Sequence, residues 1–453
     1  MHTGVHALSW EMHKPTVLIA PGRLPAAVPH ATVFFANLGS MFFGNAGATA
    51  ALREMLGVAL DSYGGRLATV LDLLFHSEEP NLLVTSVPLQ DELEKYHGEV
   101  LGLKLPELLV AGSEAYEAGE TLNRILAAAA SHVDGFVTDR QLERIAAVTG
   151  KRTHSSFESS HLANNKLAFY REIERLGLPV FATEIASGQD DLPRCYRELN
   201  RQGYRFAAVK SQIGASGIGV FKVSTTNPEP VPDLIFHEGP CLVQGWVEPG
   251  IKAVRHIHSP SVQMMVGERE IILFDTTDQI LDHQSVHEGN LAPPQDADSL
   301  TDEQRELLRQ SELIAPWLHG TGYRGPASID FHVAWHGGVS DVRACEINAR
   351  VTGATYPSLL ARRFQKNGAW LMRNLALPEP LPAEAILEIL DSREALFKPG
   401  MESGCVPINF NTNQNDEITK GQFLFLGPDV YDADRQLSEL VSLPQITLHY
   451  DRD

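Results

Sequence analysis

The stretch SIDFHVAWHGGVSDVRACEINAR, residues 328–350, gathers the side chains best suited to chemistry in this 453-residue chain. Its Gly337-Gly338 pair, set between apolar runs, is a two-residue hairpin signal. A hairpin centred there leaves Asp330 within one residue of the position opposite Glu346, and a one-residue bulge brings the two face to face. Cβ atoms of such partners stand about 4.5 to 5.5 Å apart, where like charges repel. Asn348 shares the face of Glu346, because side chains alternate along a strand. Two carboxylates and an amide oxygen form a hard oxygen site suited to Mg2+, or to Mn2+ in its place, and a cation there relieves the repulsion. A solvated acidic hairpin has the same acids, but SIDF and CEIN are otherwise apolar, which argues against plain exposure. Arg350, at or just past the strand end, is placed to stabilise negative charge developing on a transferred phosphoryl or acyl group.

A second segment, AVKSQIGASGIGVFKV (208–223), puts Lys210 at the end of one strand and Gly214, Ser216, Gly217 and Gly219 in the turn that returns to another. Small residues let backbone N–H groups approach phosphate closely, and the lysine adds a compact positive charge. The segment reads as a phosphate-covering hairpin, with an ordinary glycine turn as the plain alternative. It is not a P-loop, since no helix-opening GK[ST] follows. TTDQILDHQSVHEGN (276–290) is polar with few helix or strand signals, and reads as an acceptor-binding loop with His283 and His287 as substrate contacts.

Positioning these residues takes several packed layers, and the length suits two or three domains. In the first 150 residues, ATVFFANL (31–38), NLLVTS (81–86), ELLVAG (107–112) and GFVT (135–138) read as strands separated by helical patterns, which implies a parallel sheet. Gly39, Gly44 and Gly47 do not form a dinucleotide fingerprint. From Lys151 to about Gln365, helices alternate with hairpin-like strand pairs, an α+β pattern. Asn164 and Asn165 cap a helix carrying Leu167, Tyr170, Ile173 and Leu176, and CLVQGWV (241–247) is a buried strand. The tail combines a linker-like PEPLPAEA (378–385) with the strands VPINF and GQFLFLG in a small third domain or lid. The expected division is 1–155, 156–365 and 366–453.

With 37 basic and 57 acidic side chains the formal charge is −20, which argues against nucleic acid and anionic membranes as partners. Yet residues 151–365 hold 21 of the 37 cations, so a local phosphate site remains open. The longest uncharged stretch, Leu24 to Leu52, is broken too often by proline and glycine to span a lipid bilayer, and the lack of a basic n-region followed by a compact apolar block argues against a signal peptide. Cys195, Cys241, Cys345 and Cys405 form no CxxC pair, which fits buried thiols in a reducing cytoplasm.

Together these motifs resemble the ATP-grasp superfamily. NNKLAFYREIERLGLPV, AAVKSQIGASGIGV, LVQGWVEPG, GPASIDF and EINARVTGATYP stand in that family's order. The resemblance implies that Lys166 and Lys210 contact ATP phosphates or the adenine region, and that Gly214 to Gly219 cover the phosphates. Gln244, Trp246 and Val247 would form the adenine hinge through backbone groups. Asp330, Glu346 and Asn348 would hold Mg2+, Arg350 would sit near an acyl phosphate, and Arg255 would project near the acceptor. Where relatives often carry a ribose-binding glutamate this register puts Ile251, with Glu248 three positions earlier, so the ribose contact stays open. The string EEPNLLVTSVPLQDELEKYH is similar to the pre-ATP-grasp domain of pheganomycin-type peptide ligases, and the tail is placed like their C-terminal domain. The implied fold is an N-terminal parallel-sheet pre-ATP-grasp α/β domain, a central ATP-grasp fold and a small C-terminal α+β domain.

The implied activity joins a small-molecule carboxylate to an amine, an amino acid or a peptide, through an acyl phosphate, with release of ADP and phosphate. Such chemistry needs positioning and charge stabilisation rather than a covalent nucleophile. An ATP-grasp kinase, a thioester-forming ligase and a nucleotide-binding regulatory protein without turnover are the alternatives. A homodimer is a family-level expectation.

Overall fold

The computed structural model describes residues 14–57, 60–281, 287–295 and 300–448. Its first layer is a parallel sheet in the order Glu107–Val110, Leu82–Thr85, Thr32–Phe35, His132–Gly135, Arg152–Thr153. The three central strands are buried along their whole length, as parallel strands covered on both faces must be. Phe34 and Phe35 enter separate cores on opposite faces. The GFVT signal (135–138) is displaced by three residues, because pairing with Thr32–Phe35 takes His132–Gly135. Asn37 then accepts from the Phe136 N–H (2.8 Å) and donates to the Val137 carbonyl (3.0 Å), which holds the chain beyond the strand end.

An antiparallel sheet follows, in the order Thr183–Ala186, Cys241–Gly245, Phe206–Ala215, Ile218–Ser224. Helix Leu192–Arg201 covers it through Leu192, Cys195, Tyr196 and Leu199, a stripe of helical period. Helix Lys166–Arg175 packs between this sheet and the next. Its N-cap is Asn165, which accepts from the Ala168 N–H at 2.9 Å, and Gly177 in the left-handed region ends it.

The largest sheet is mostly antiparallel. Its strands run Val339–Asn348, Gly325–His336, Pro260–Val266, Glu270–Leu281, His287–Ala292, Ala369–Leu381, Ile418–Gly427, Gly404–Thr412. Thr16–Ile19 joins it in parallel against Glu270–Leu273. The sheet therefore passes from the central segment into the tail without a break. PEPLPAEA is not a linker: it is the end of one strand and the start of helix Ala383–Ser392. Pro378 and Pro380 fall where the pairing with Ile418–Gly427 is interrupted, a place that tolerates residues without an N–H. The TTDQILDHQSVHEGN stretch is strand on both sides of residues 282–286, which lie outside the described residues. Its polar character misleads because Thr276 and Thr277 are buried against Gln295 and Ser261.

Arg362 and Asp275 are fully buried and 3.0 Å apart. Arg362 also donates to the carbonyls of Lys366 (3.0 Å) and Gly368 (2.8 Å), and Trp370 Nε1 donates to Asp275 at 3.0 Å. A buried pair persists only when its remaining polar atoms are bonded in this way. All four cysteines are free thiols. No helix among the described residues is long and apolar enough to cross a membrane.

Where the first strands begin, His132 stacks between His30 and His154, with ring centroids 4.4 Å from each. Burial, then repulsion from neighbouring histidines and Arg152, lowers His132 to about 4 and His154 to about 3. As pH falls below the ~6.5 of an unfolded histidine, the unfolded chain takes up protons first. Stability is thus complete above about pH 6.5 and lost as pH falls toward 4 for His132 and toward 3 for His154, at up to ~1.4 kcal/mol per pH unit from the more enclosed His154 and less from His132. Urea unfolding at stepped pH is expected to show this slope, reduced in His154→Gln; an unchanged slope in the variant would refute the assignment.

Candidate functional site

The acidic hairpin forms around Gly337 and Gly338, both with positive φ (60° and 101°). From the turn, pairing is regular as far as Phe331 opposite Ala344; a bulge between Asp330 and Phe331 then sets Asp330 directly opposite Glu346 and Ser328 opposite Asn348. The Asn348 side-chain amide donates to Asp330 at 2.9 Å, and Ser328 Oγ donates at 3.3 Å. Among the described residues no group of three or more His, Cys, Asp or Glu side chains gathers as a metal site. Here the third oxygen is that of an amide, and two facing carboxylates with an amide fit a hard divalent cation.

Three consecutive residues buttress this hairpin from behind. The Asn164 side-chain oxygen Oδ1 accepts from Arg350 Nη1 (2.7 Å) and the Ala349 N–H (3.1 Å). Asn165 donates to Gln212 Oε1 at 2.7 Å, tying the glycine hairpin to the helix start. Lys166, only 6% exposed, lies 2.8 Å from Glu346 and donates to the Gly214 carbonyl at 3.2 Å. The asparagines are legible in the sequence as caps, but their reach to the hairpins is not.

The glycine hairpin closes on Ser216 and Gly217, both in the left-handed region, a primed turn that suits strand twist. A Cβ at Gly214 would stand 2.5 Å from the Ile218 carbonyl oxygen, so this glycine is required by the hairpin itself. The turn, Lys210, Trp246, Asp330, Glu346, Asn348 and Arg350 line one cleft of about 420 Å³. His287 lines it too, its Nε2 2.7 Å from Asn290 Oδ1. Lys166, Gly214, Gly219, Gln244, Val247 and Glu248 stand behind or beside this wall. The Gln244 side chain donates to Thr183 (3.1 Å), the Trp246 N–H to the Phe206 carbonyl (2.9 Å), and Glu248 pairs with Lys222 (2.8 Å) and Arg205 (3.2 Å). Ile251 is buried core. Arg255 is exposed and not part of the cleft wall, and His283 lies outside the described residues. Ser261, a cleft residue outside every motif, escapes sequence reading, and Gln279 and Ser328 lie inside quoted segments without being singled out; the only signal is their polarity within strand patterns.

Burial, then the Glu346 charge, pushes Asp330 up to about 7. Burial also pushes Glu346 upward, but Lys166 first, then Lys210 and Arg350, outweigh it and hold this carboxylate below its usual range. Burial lowers Arg350 against the pull of both acids, and it keeps His287 below its usual range.

A glycine hairpin sheet facing a large antiparallel sheet, with acids and cations between them, is the ATP-grasp fold. The chain aligns with N5-carboxyaminoimidazole synthetase from Staphylococcus aureus, solved with ADP, at a TM-score of 0.51 and 13% identity, covering 95% of this chain and 99% of that one. It aligns with biotin carboxylase from Campylobacter jejuni at 0.57 and 13%, covering 92% of each. By sequence it is 30% identical over 207 residues to the [butirosin acyl-carrier protein]–L-glutamate ligase of Niallia circulans. That match covers 43% of this chain and 44% of the relative's length. No family model matches the chain.

The two acids predict stability changes of opposite sign. A carboxyl whose folded value exceeds the ~3.8 of the unfolded chain is favoured at low pH and opposes folding as pH rises toward 7. Asp330→Asn is therefore expected to raise the melting temperature of the metal-free protein at pH 8 by a few degrees. Lys166→Met should lower stability by ~3 kcal/mol, because it leaves Glu346 without its nearest cation. Thermal unfolding of both variants in EDTA checks this; the same sign for both would contradict it.

Proposed function

We propose that the protein is an ATP-dependent ligase that forms an amide bond between a carboxylate and an amine. The observation that carries this reading is the Asp330 and Glu346 pair, brought face to face by the bulge and open to a cleft that Lys210 and the glycine turn also line. The fold is shared with a protein solved with ADP, and the matched relative is named a ligase. In this reading Lys210, Ser216 and Gly217 meet the phosphates, and Trp246 with the backbone of Gln244 to Val247 meets the adenine. Glu248 is the ribose candidate, though its oxygens already pair with Lys222 and Arg205. Mg2+, or Mn2+, held by Asp330, Glu346 and Asn348, would neutralise the phosphate oxygens.

The substrate carboxylate attacks the γ-phosphorus, the bond to the β-bridging oxygen breaks, and ADP leaves. The amine then attacks the acyl carbon, inorganic phosphate departs with the former carboxylate oxygen, and the amine proton passes to phosphate or water. Arg350 is rigidly held by Asn164 and offers its guanidinium to the charge that develops. No side chain has to become covalently attached.

Incubation with ATP, Mg2+ and a panel of amino acids and small peptides is expected to release phosphate only when both a carboxylate and an amine are supplied, with product mass showing loss of water. A phosphorylated product formed without an amine would instead mark a kinase, and nucleotide binding without turnover a regulatory protein. Glu346→Gln should reduce phosphate release by more than about 100-fold with circular dichroism unchanged; normal turnover in that variant would rule out the site.

A further inference from the structure

The cleft extends well beyond the nucleotide end. Across the large sheet one row of uncharged polar side chains faces it. Ser261 lies opposite Asp330, Gln279 opposite Asn290, and Asn374 opposite Gln422. The Gln279 N–H bonds the Ser259 carbonyl, and Asn290 is paired with Met372, two residues before Asn374, so strand alternation puts the whole row on one face. All of them line the cleft. Asp330 and Gln422 are separated by five inter-strand steps, on the order of 20 Å, which is several residues of extended chain.

The facing wall is apolar. Leu52, Met55 and Leu56 come from helix Ala46–Leu56, with Leu67 beyond it, and Met55, Leu56 and Leu67 remain partly exposed. The charged side chains lining the cleft, among the described residues, are Lys210, Asp330, Glu346 and Arg350, all on the two hairpins or just past their strands. Asn374 makes no side-chain hydrogen bond to a described residue. Among the described residues no cation lines this trough away from the hairpins, and Lys420, on the face of Gln422, has its ammonium taken up by the Leu56 carbonyl at 2.7 Å, so an unpaired carboxylate there is disfavoured. Amide side chains, by contrast, match the N–H and C=O groups of a neutral amide chain.

Resting on the ligase reading above, we propose that this trough receives the amine substrate as a neutral, extended chain with amide groups along one edge and apolar substituents along the other. Asn374, Gln422 and Met55 set this selectivity. A free acidic amino acid matches neither the length nor the lining.

Calorimetric titration with Mg·ADP present tests this, using Ala-Leu-Leu amide against Ala-Glu-Glu amide as probes. The leucine peptide is expected to bind at least tenfold more tightly. Asn374→Leu should weaken it about tenfold, and Met55→Lys, at a partly exposed helix position, should shift preference toward the glutamate peptide, with Mg·ADP affinity unchanged in both. Equal binding of the two peptides, binding of neither, or an unmoved preference in Met55→Lys overturns the proposal while normal Mg·ADP binding leaves the ligase reading standing. Failure of the wild type to bind Mg·ADP overturns that reading and this one with it.

Discussion

Two carboxylates facing each other across a hairpin repel, and the centre of this molecule is arranged so that they nevertheless stay there. The bulge that aligns Asp330 with Glu346 creates the conflict. Lys166 resolves half of it from behind, at a position so enclosed that its ammonium is held by Glu346 and one carbonyl. The other half is left unresolved on the cleft side, where Asp330 has only neutral donors within hydrogen-bond distance. A site that is electrostatically incomplete toward solvent and complete toward the core has its ligand direction built in.

The same arrangement explains why the chain combines a strongly acidic surface with a phosphate-compatible interior. Asn164, Asn165 and Lys166 are neighbours in sequence, yet each fixes a different piece: the end of the acidic hairpin, the glycine hairpin and the Glu346 carboxylate. One helix start thereby keeps two sheets in register with each other. Among the described residues that line the cleft, charge is confined to this junction, and away from it the wall is amides on the sheet and hydrocarbon on the N-terminal helix.

Much of this was legible in the sequence because the signals were local. The Gly337-Gly338 turn brings Asp330 within one residue of Glu346, and the alternating pattern of SIDF and CEIN gives the faces, so the Asp330, Glu346 and Asn348 grouping was legible to within the one-residue bulge that the structure supplies. The parallel sheet was legible for the same reason, through short apolar runs between helical ones. What failed was non-local. His132 and Asp134 disguise a buried strand, since their burial is compensated by stacking and backbone bonds that no local pattern records. Thr276 and Thr277 look like loop residues until Gln295 and Ser261 come up against them. PEPLPAEA looks like a linker because prolines mark both linkers and strand irregularities. Arg255 sits near the cleft residues in sequence and outside the cleft in space.

The wide sheet also has a consequence in time. Thr16–Ile19 pairs with Glu270–Leu273, and the edge offered by His287–Ala292 is covered by Ala369–Leu381 and the strands after it. On the ribosome the first strand waits for some 250 residues to be added, and the central strands present an open edge until Ala369–Leu381 has emerged. The parallel sheet of the first 150 residues can close as it is made. The large sheet is instead completed only once the strands from Ala369 onward have emerged, so a nascent chain passes through a stage in which the cleft is framed by unpaired backbone.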